Sequence, residues 1–283
     1  MNIQAPKGSF SYRAVRRLLG ELGMIRVWEQ LSSFYLWNAF PLDGKENRLF
    51  QVVGVPRSGT TLLCSMLNSH SKIICLSEPY HQWKYDGFVY TDEICELVHS
   101  NTWKRHPAIL LKFLLRNVND KLIGFKEIYY SKYNGHYSNH FFFKRNYQKG
   151  VVTIAIIRDP REVWKSLVLK HPEKRGRVTR RFVESWNDLV CWILENNIFW
   201  VRYEDLVDNP ENELCKVCDF LGVDFEEDMF ILKERKARGD LNALKGGNII
   251  EGRNKEYKKV LSLREINYIE FKCDRFMKLT GYK

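Results

Sequence analysis

The stretch Leu49 to Asn68, LFQVVGVPRSGTTLLCSMLN, constrains the fold more than any other part of this 283-residue chain. An apolar run ends at Gly54, the loop VPRSG follows, and TTLLCSMLN then carries helical spacing, with Leu62, Leu63, Met66 and Leu67 facing inward. Strand, tight loop and helix in that order open a βα unit. The loop also has a chemistry. The first backbone N–H groups of a helix lack intrahelical partners, and the helix dipole adds partial positive charge there. Gly59 lets the backbone come close to an anion, Ser58, Thr60 and Thr61 bring hydroxyls, and Arg57 adds a planar fork matched to phosphate or sulfate oxygens.

Compared with the nucleotide-triphosphate loop GxxxxGK[ST], Gly54 to Thr61 keeps both glycines in register but has Thr60 in place of the lysine. The basic group stands inside the loop instead, at Arg57. A kinase or ATPase is disfavoured, because the lysine that reaches the β and γ phosphates is missing. An ordinary tight βα turn is the plain alternative, so a second site has to decide.

That second site is VVTIAIIRDPREVWKSLVLK. The β-branched run Val151 to Ile157 reads as a central parallel strand ending at Arg158. Asp159 then reads as an N-cap, Pro160 fits the first helical position, and Glu162 is expected to complete a capping box. Arg158 leaves the strand before the cap and Ser166 lies about two turns into the helix, so both can flank one anion only where the chain folds back.

Between these anchors, KIICL reads as a short buried strand, Lys72 to Leu76, running into SEPYHQW. Open α/β sheets carry their chemistry at strand ends, which puts Glu78 one strand along from the loop as a carboxylate able to take a proton from a hydroxyl. Capping a turn or pairing with an arginine is its alternative, and His81 is a second candidate base. KLIGFKEIYY gives another strand whose Lys126 points a movable cation at the same crevice, or else makes a surface salt bridge. Asp92 to Arg116 reads as helical, and YNGHYSNHFFFKRNYQKG as loops over a substrate.

PRSGTTLL resembles the 5′-phosphosulfate loop of sulfotransferases, and RDPREVWKS resembles their 3′-phosphate site, in the right order and about a hundred residues apart. The resemblance runs from about Leu49 to the C-terminus. It implies 3′-phosphoadenosine 5′-phosphosulfate (PAPS) as co-substrate, Arg158 and Ser166 on its 3′-phosphate, Glu78 of the E-P pair as base, and Lys126 near the transferred sulfuryl group. A late Gly- and Arg-containing loop of the family folds over the adenosine and 3′-phosphate, which nominates Gly247, Asn248 and Arg253 here. RYEDL recurs in the family too, with Arg202 and Glu204 read as braces of the sheet edge. Arginine in the loop, the E-P pair and the late loop lean towards the carbohydrate and protein branch.

The implied fold is α/β, three-layer, with a mostly parallel central sheet, and the implied reaction is sulfuryl transfer to a hydroxyl of a carbohydrate or glycoconjugate. Protein tyrosine, lipid and small-metabolite acceptors are the alternatives within the class. Outside it stand a nucleotide kinase and a non-catalytic polyanion-binding protein.

Composition bounds this reading. A formal charge of +11 calls for an anionic partner, but no zinc-finger, RNP-type or KH signature points to nucleic acid. Residues 1–45 read as a basic amphipathic helical segment, with Val15, Leu18, Leu22 and Ile25 on one face of Ser9 to Asn38, and residues 46–283 as the catalytic domain. Charges recur too often for a membrane span, though the basic helix can touch lipid headgroups. Seven cysteines, mostly in apolar periodic segments, suggest a reduced, cytoplasmic setting. Cys215 and Cys218 form a C-x-x-C read as inward helix positions, and no metal is expected. HPEKRGRVTRR, His171 to Arg181, is the densest positive charge and reads as a solvated loop; in a functional role it would steer an anionic acceptor. Ser262 and Glu265 are expected to cap the last helix.

Overall fold

Short apolar runs separated by helices become one parallel sheet, because parallel neighbours need a crossover long enough to hold a helix. The computed structural model describes residues 42, 48–89, 98, 103–131, 138–235, 239–248 and 256–283. The N-terminal segment, most of Asp92 to Thr102, and Arg253 lie outside the described residues.

In chain order, β1 (Leu49–Gly54) leads to α1 (Thr60–Ser69), β2 (Ile73–Ser77), α2 (Pro79–Asp86) and α3 (Pro107–Asn117). β3 (Leu122–Ile128), α4 (His140–Gln148), β4 (Val152–Ile157), α5 (Pro160–Lys170) and α6 (Arg180–Glu195) follow. The chain continues through β5 (Phe199–Arg202), α7 (Tyr203–Asp208) and α8 (Pro210–Leu221), then β6 (Ile231–Leu232), α9 (Leu241–Leu244) and β7 (Gly247–Asn248). It ends in α10 (Tyr257–Val260) and α11 (Leu263–Leu279).

The main sheet has five strands in the order β2-β3-β1-β4-β5, all parallel. Alternation along each strand sends side chains to two cores. Val53, Leu76, Phe125 and Ala155 pack with the buried residues of α2 to α6 and α11, whereas Val52, Cys75, Ile154 and Ile156 pack with α1 and α8. The result is a three-layer α/β domain, as expected. β6 and β7 form a separate antiparallel pair.

Several local readings need correction. Glu78 follows β2, which β3 separates from β1, so it stands two strands from the phosphate loop rather than one. Much of the stretch expected to loop over substrate is helix α4, whose Phe142 and Phe143 are buried in the core. The chain after β5 forms the short helix α7 before α8 begins. Asp159 does cap α5, through the Arg161 N–H, but Glu162 completes no capping box. Glu204 accepts the Asp159 N–H at 3.0 Å instead, while Glu162 turns to Lys165 at 2.5 Å and to the Tyr257 N–H at 2.8 Å. At α11 the expected box is complete, Ser262 and Glu265 each satisfying the other's backbone N–H.

Candidate functional site

Parallel strands all end on one edge, and their following loops meet there. A cavity of about 1660 Å³ opens along that edge. It is lined by the loop after β1, by Glu78 after β2, Lys126 in β3, Arg158 after β4 and Tyr203 after β5.

The loop after β1 owes its shape to two residues in the left-handed region, Arg57 at φ 72° and Gly59 at φ 96°. For glycine that conformation costs nothing sterically; a Cβ on Gly59 would also run into the Tyr203 ring. Ser58 is fully buried and donates its hydroxyl to the Val55 carbonyl at 2.7 Å, which braces the loop from inside. Thr60 and Thr61 begin α1, and Thr61 Oγ1 accepts the Asp240 N–H at 3.2 Å.

Two motifs far apart in sequence join here. Arg57 Nε donates to Ser166 Oγ at 2.9 Å, and Arg158 Nη1 donates to the Arg57 carbonyl at 3.3 Å. The Arg158 guanidinium also lies 4.0 Å over the Tyr203 ring, while its buried Nε has no hydrogen-bond partner. A buried donor left unsatisfied is costly, and an anionic oxygen would satisfy it. The second Arg57 nitrogen group is held by Asp240, Nη2 to Oδ2 at 2.7 Å.

Across the cavity, Glu78 sits at φ 52° and ψ 45° as the residue before α2, with its N–H donating to the Lys126 carbonyl at 2.7 Å. Its carboxylate accepts from Lys126 Nζ at 2.5 Å, both side chains being buried. Lys126 therefore makes a buried ion pair with the candidate base itself, and the surface salt bridge weighed for it is not what forms. The neighbouring Glu127 faces the other side of the sheet and collects the N–H groups of Tyr80 and His81 together with His81 Nδ1. His81 thereby braces the start of α2. Behind the loop, burial works to raise the Cys64 thiol, but its contact with Cys75 and the charges of Arg235 and Lys126 bring it down to about 7.

The late-loop candidates divide. Gly246 lines the cavity; Gly247 and Asn248 form β7 against Leu232 and Ile231. Arg202 and Glu204 brace the fold as read: Tyr282 donates to Glu204 at 2.8 Å, and Arg202 lies 4.7 Å over the Tyr282 ring. Cys218 is buried and Cys215 is not, and among the described residues no cluster of three His, Cys, Asp or Glu could hold a metal ion. The same residues include no helix long and apolar enough to cross a membrane.

Three participants escape a reading of the sequence. Tyr203 carries a weak signal as part of RYEDL. Asp240 and the His81–Glu127 brace carry none, since their contacts join distant parts of the chain.

Residues 48–238 match the family model described as the sulfotransferase domain. Among solved structures, the chain is similar to the sulfotransferase domain from the curacin biosynthetic pathway, at a TM-score of 0.60 and 18% identity, over 86% of this chain and 99% of that one. It is also similar to mouse sulfotransferase SULT7A1 complexed with PAP, at a TM-score of 0.52 and 14% identity, over 87% of this chain and 89% of that one. Among curated proteins, none matches. With a family model covering well over half of its length, the chain belongs to the sulfotransferase family and is a sulfotransferase enzyme.

Proposed function

We propose that this enzyme moves the sulfuryl group of PAPS to an acceptor hydroxyl, without a metal. One observation carries the reading: the phosphate loop and the second motif are hydrogen-bonded to each other through Arg57, Ser166 and Arg158. Two arginines and the start of α1 gathered on one cavity, with Ser166 bonded to Arg57, fit a ligand with phosphates at two positions. The unsatisfied Arg158 Nε belongs to the same fit. In this reading Gly59, Thr60 and Thr61 hold the 5′-phosphosulfate, while Ser58, expected to join them, braces the loop from inside instead; Arg158 and Ser166 hold the 3′-phosphate, and Gly247, Asn248 and Arg253 the adenosine side.

When bound, the donor supplies an activated sulfur whose bond to the 5′-phosphate oxygen breaks as the acceptor oxygen bonds to it. Glu78 takes the hydroxyl proton. Protonating Glu78 cancels the attraction that holds Lys126 at 2.5 Å, which releases the ammonium to meet charge arriving on the phosphate. Arg57 stands on the loop for the same purpose. The acceptor is taken as a carbohydrate or glycoconjugate hydroxyl on the strength of the E-P pair and the loop arginine. A cytoplasmic setting belongs to the same reading, supported by the buried thiols of Cys64, Cys75, Cys218 and Cys273.

The test is a metal-free titration with 3′-phosphoadenosine 5′-phosphate (PAP) against ADP, for wild type and Arg158→Ala. A strong preference for the 3′-phosphate, lost in the variant, is expected. Equal affinity for the two nucleotides in wild type would sink the reading.

A further inference from the structure

We propose that the acceptor is itself an anion: a hydroxyl compound bearing a carboxylate, phosphate or sulfate group that seats against the basic wall between α5 and α6. The proposal rests on the sulfotransferase reading and names the substrate class of that site.

The run His171 to Arg181, expected to be a solvated loop, is largely exposed, and much of it lines the cavity. Lys170, Lys174, Arg177, Arg180 and Arg181 all stand on its wall. The wall's Arg181 end adjoins the half where Glu78 lies. Arg181 packs 4.4 Å over the Tyr130 ring, and the Ser131 N–H donates to Ser185 Oγ in α6 at 3.2 Å. Tyr130 and Ser131 directly follow β3, the strand that carries Lys126 to Glu78.

Charge pairing separates most of this wall from the rest of the cavity. Of the acids on the cavity, Glu78 meets Lys126 at 2.5 Å, Asp240 meets Arg57 at 2.7 Å, and Glu256 stands 3.9 Å from Lys165. The remaining acid, Glu173, stands 3.4 Å from His171. Among the described residues, Lys170, Lys174 and Arg177 have no acid within ion-pair distance. Arg180 and Arg181 stand in the first turn of α6, where Arg180 pairs with Glu184 at 2.6 Å. Lys170, Lys174 and Arg177, gathered on one wall, repel one another, and an anionic ligand would offset that cost.

The wall is also built. Its middle is a turn of 3₁₀ helix, Pro172–Lys174, and the Gly176 N–H donates to Glu265 Oε1 on α11 at 2.9 Å. An anion seated there would leave the rest of the molecule extending towards Glu78, with the hydroxyl at that end.

The test measures equilibrium binding to protein saturated with PAP. The probes are matched pairs: phenyl glucuronide against phenyl glucoside, and glucose 6-phosphate against glucose. At low salt the anionic member should bind about tenfold tighter, the two pairs telling a carboxylate from a phosphate. In Lys170→Gln/Lys174→Gln/Arg177→Gln the preference should shrink to within about twofold, with melting temperature and PAP affinity unchanged. No preference in wild type, no binding of either anion, or a preference the triple variant retains would overturn the proposal. A fall in PAP affinity in the triple variant would do the same by giving the wall to the donor. Failure of wild type to bind PAP at all would instead fail the sulfotransferase reading beneath it.

Discussion

The donor half and the acceptor half of the cavity are made differently. Over β1 and β4 the surface is mostly backbone and short side chains: the loop Val55 to Gly59, the start of α1, and two arginines held by Ser166, Tyr203 and Asp240. Elsewhere it is made of long side chains, the Glu78–Lys126 pair at β2 and β3 and the cations of residues 170–181 between α5 and α6. A surface of amides and glycine conformations can hold only one kind of ligand, whereas a surface of side chains can be altered one residue at a time without disturbing the sheet. In the proposed reading, the donor half is built mainly of backbone and the acceptor half of exposed charge.

The largest expected effect separates the halves. Glu78→Gln should lower kcat by about a hundredfold or more while PAP affinity stays within about twofold. Steady-state rates with labelled PAPS check it, and unchanged turnover would remove Glu78 from the role of base. The converse variant, Gly59→Ala, should damage the donor half. At φ 96°, with the Tyr203 ring in the way of a Cβ, it should weaken PAP binding by at least about tenfold and cost about 1–3 kcal/mol of stability. Calorimetry against PAP with a denaturant melt reads both, and retained affinity would show that the loop's shape is not what holds the donor.

A smaller effect is expected where the acceptor wall is anchored. Burial works to raise the Glu265 carboxyl, but hydrogen bonds from Ser262, Trp164 and Gly176 outweigh it and hold the group below its ordinary value. The unfolded chain then binds the proton more tightly, so the stabilisation is present at neutral pH and is lost as pH falls through the lowered value. Glu265→Gln should cost about 1–2 kcal/mol at neutral pH and flatten the acid limb of the stability curve. Urea melts across the acid range measure this, and an acid limb that does not change would mean the anchor is not electrostatic. The smallest effect sharpens the donor half. Asp240→Asn removes the carboxylate that holds Arg57 and should tighten PAP binding by about two- to fivefold, more at low salt than at high. Weaker binding in that variant would make Asp240 a support of the site rather than a competitor for Arg57.

How much could be read from the chain follows from the range of each interaction. β1, the loop and α1 were legible because their signals, an apolar run, Gly59 and helical spacing, lie within a few residues of one another. The Ser262–Glu265 box was legible for the same reason. The Asp159 cap was also legible, but the capping box expected of Glu162 failed because Glu204, some forty residues on, took the N–H in question. Helix α4 reads as loop in the sequence because polar residues interrupt its aromatic ones, and only packing in the core fixes Phe142 and Phe143 inside.

The amino-acid sequence by itself determined the parallel α/β architecture and the tight loop after β1, and its two motifs together named the family. Those features depend on backbone conformation and on neighbours along the chain. Only the tertiary structure decided that β3 lies between β1 and β2, that Lys126 is the partner of Glu78, and that Arg57 is shared between Ser166 and Asp240. It also decided that the cations of residues 170–181 face the cavity. Each of these follows from strand order and crossover packing, which bring together side chains that no local pattern relates.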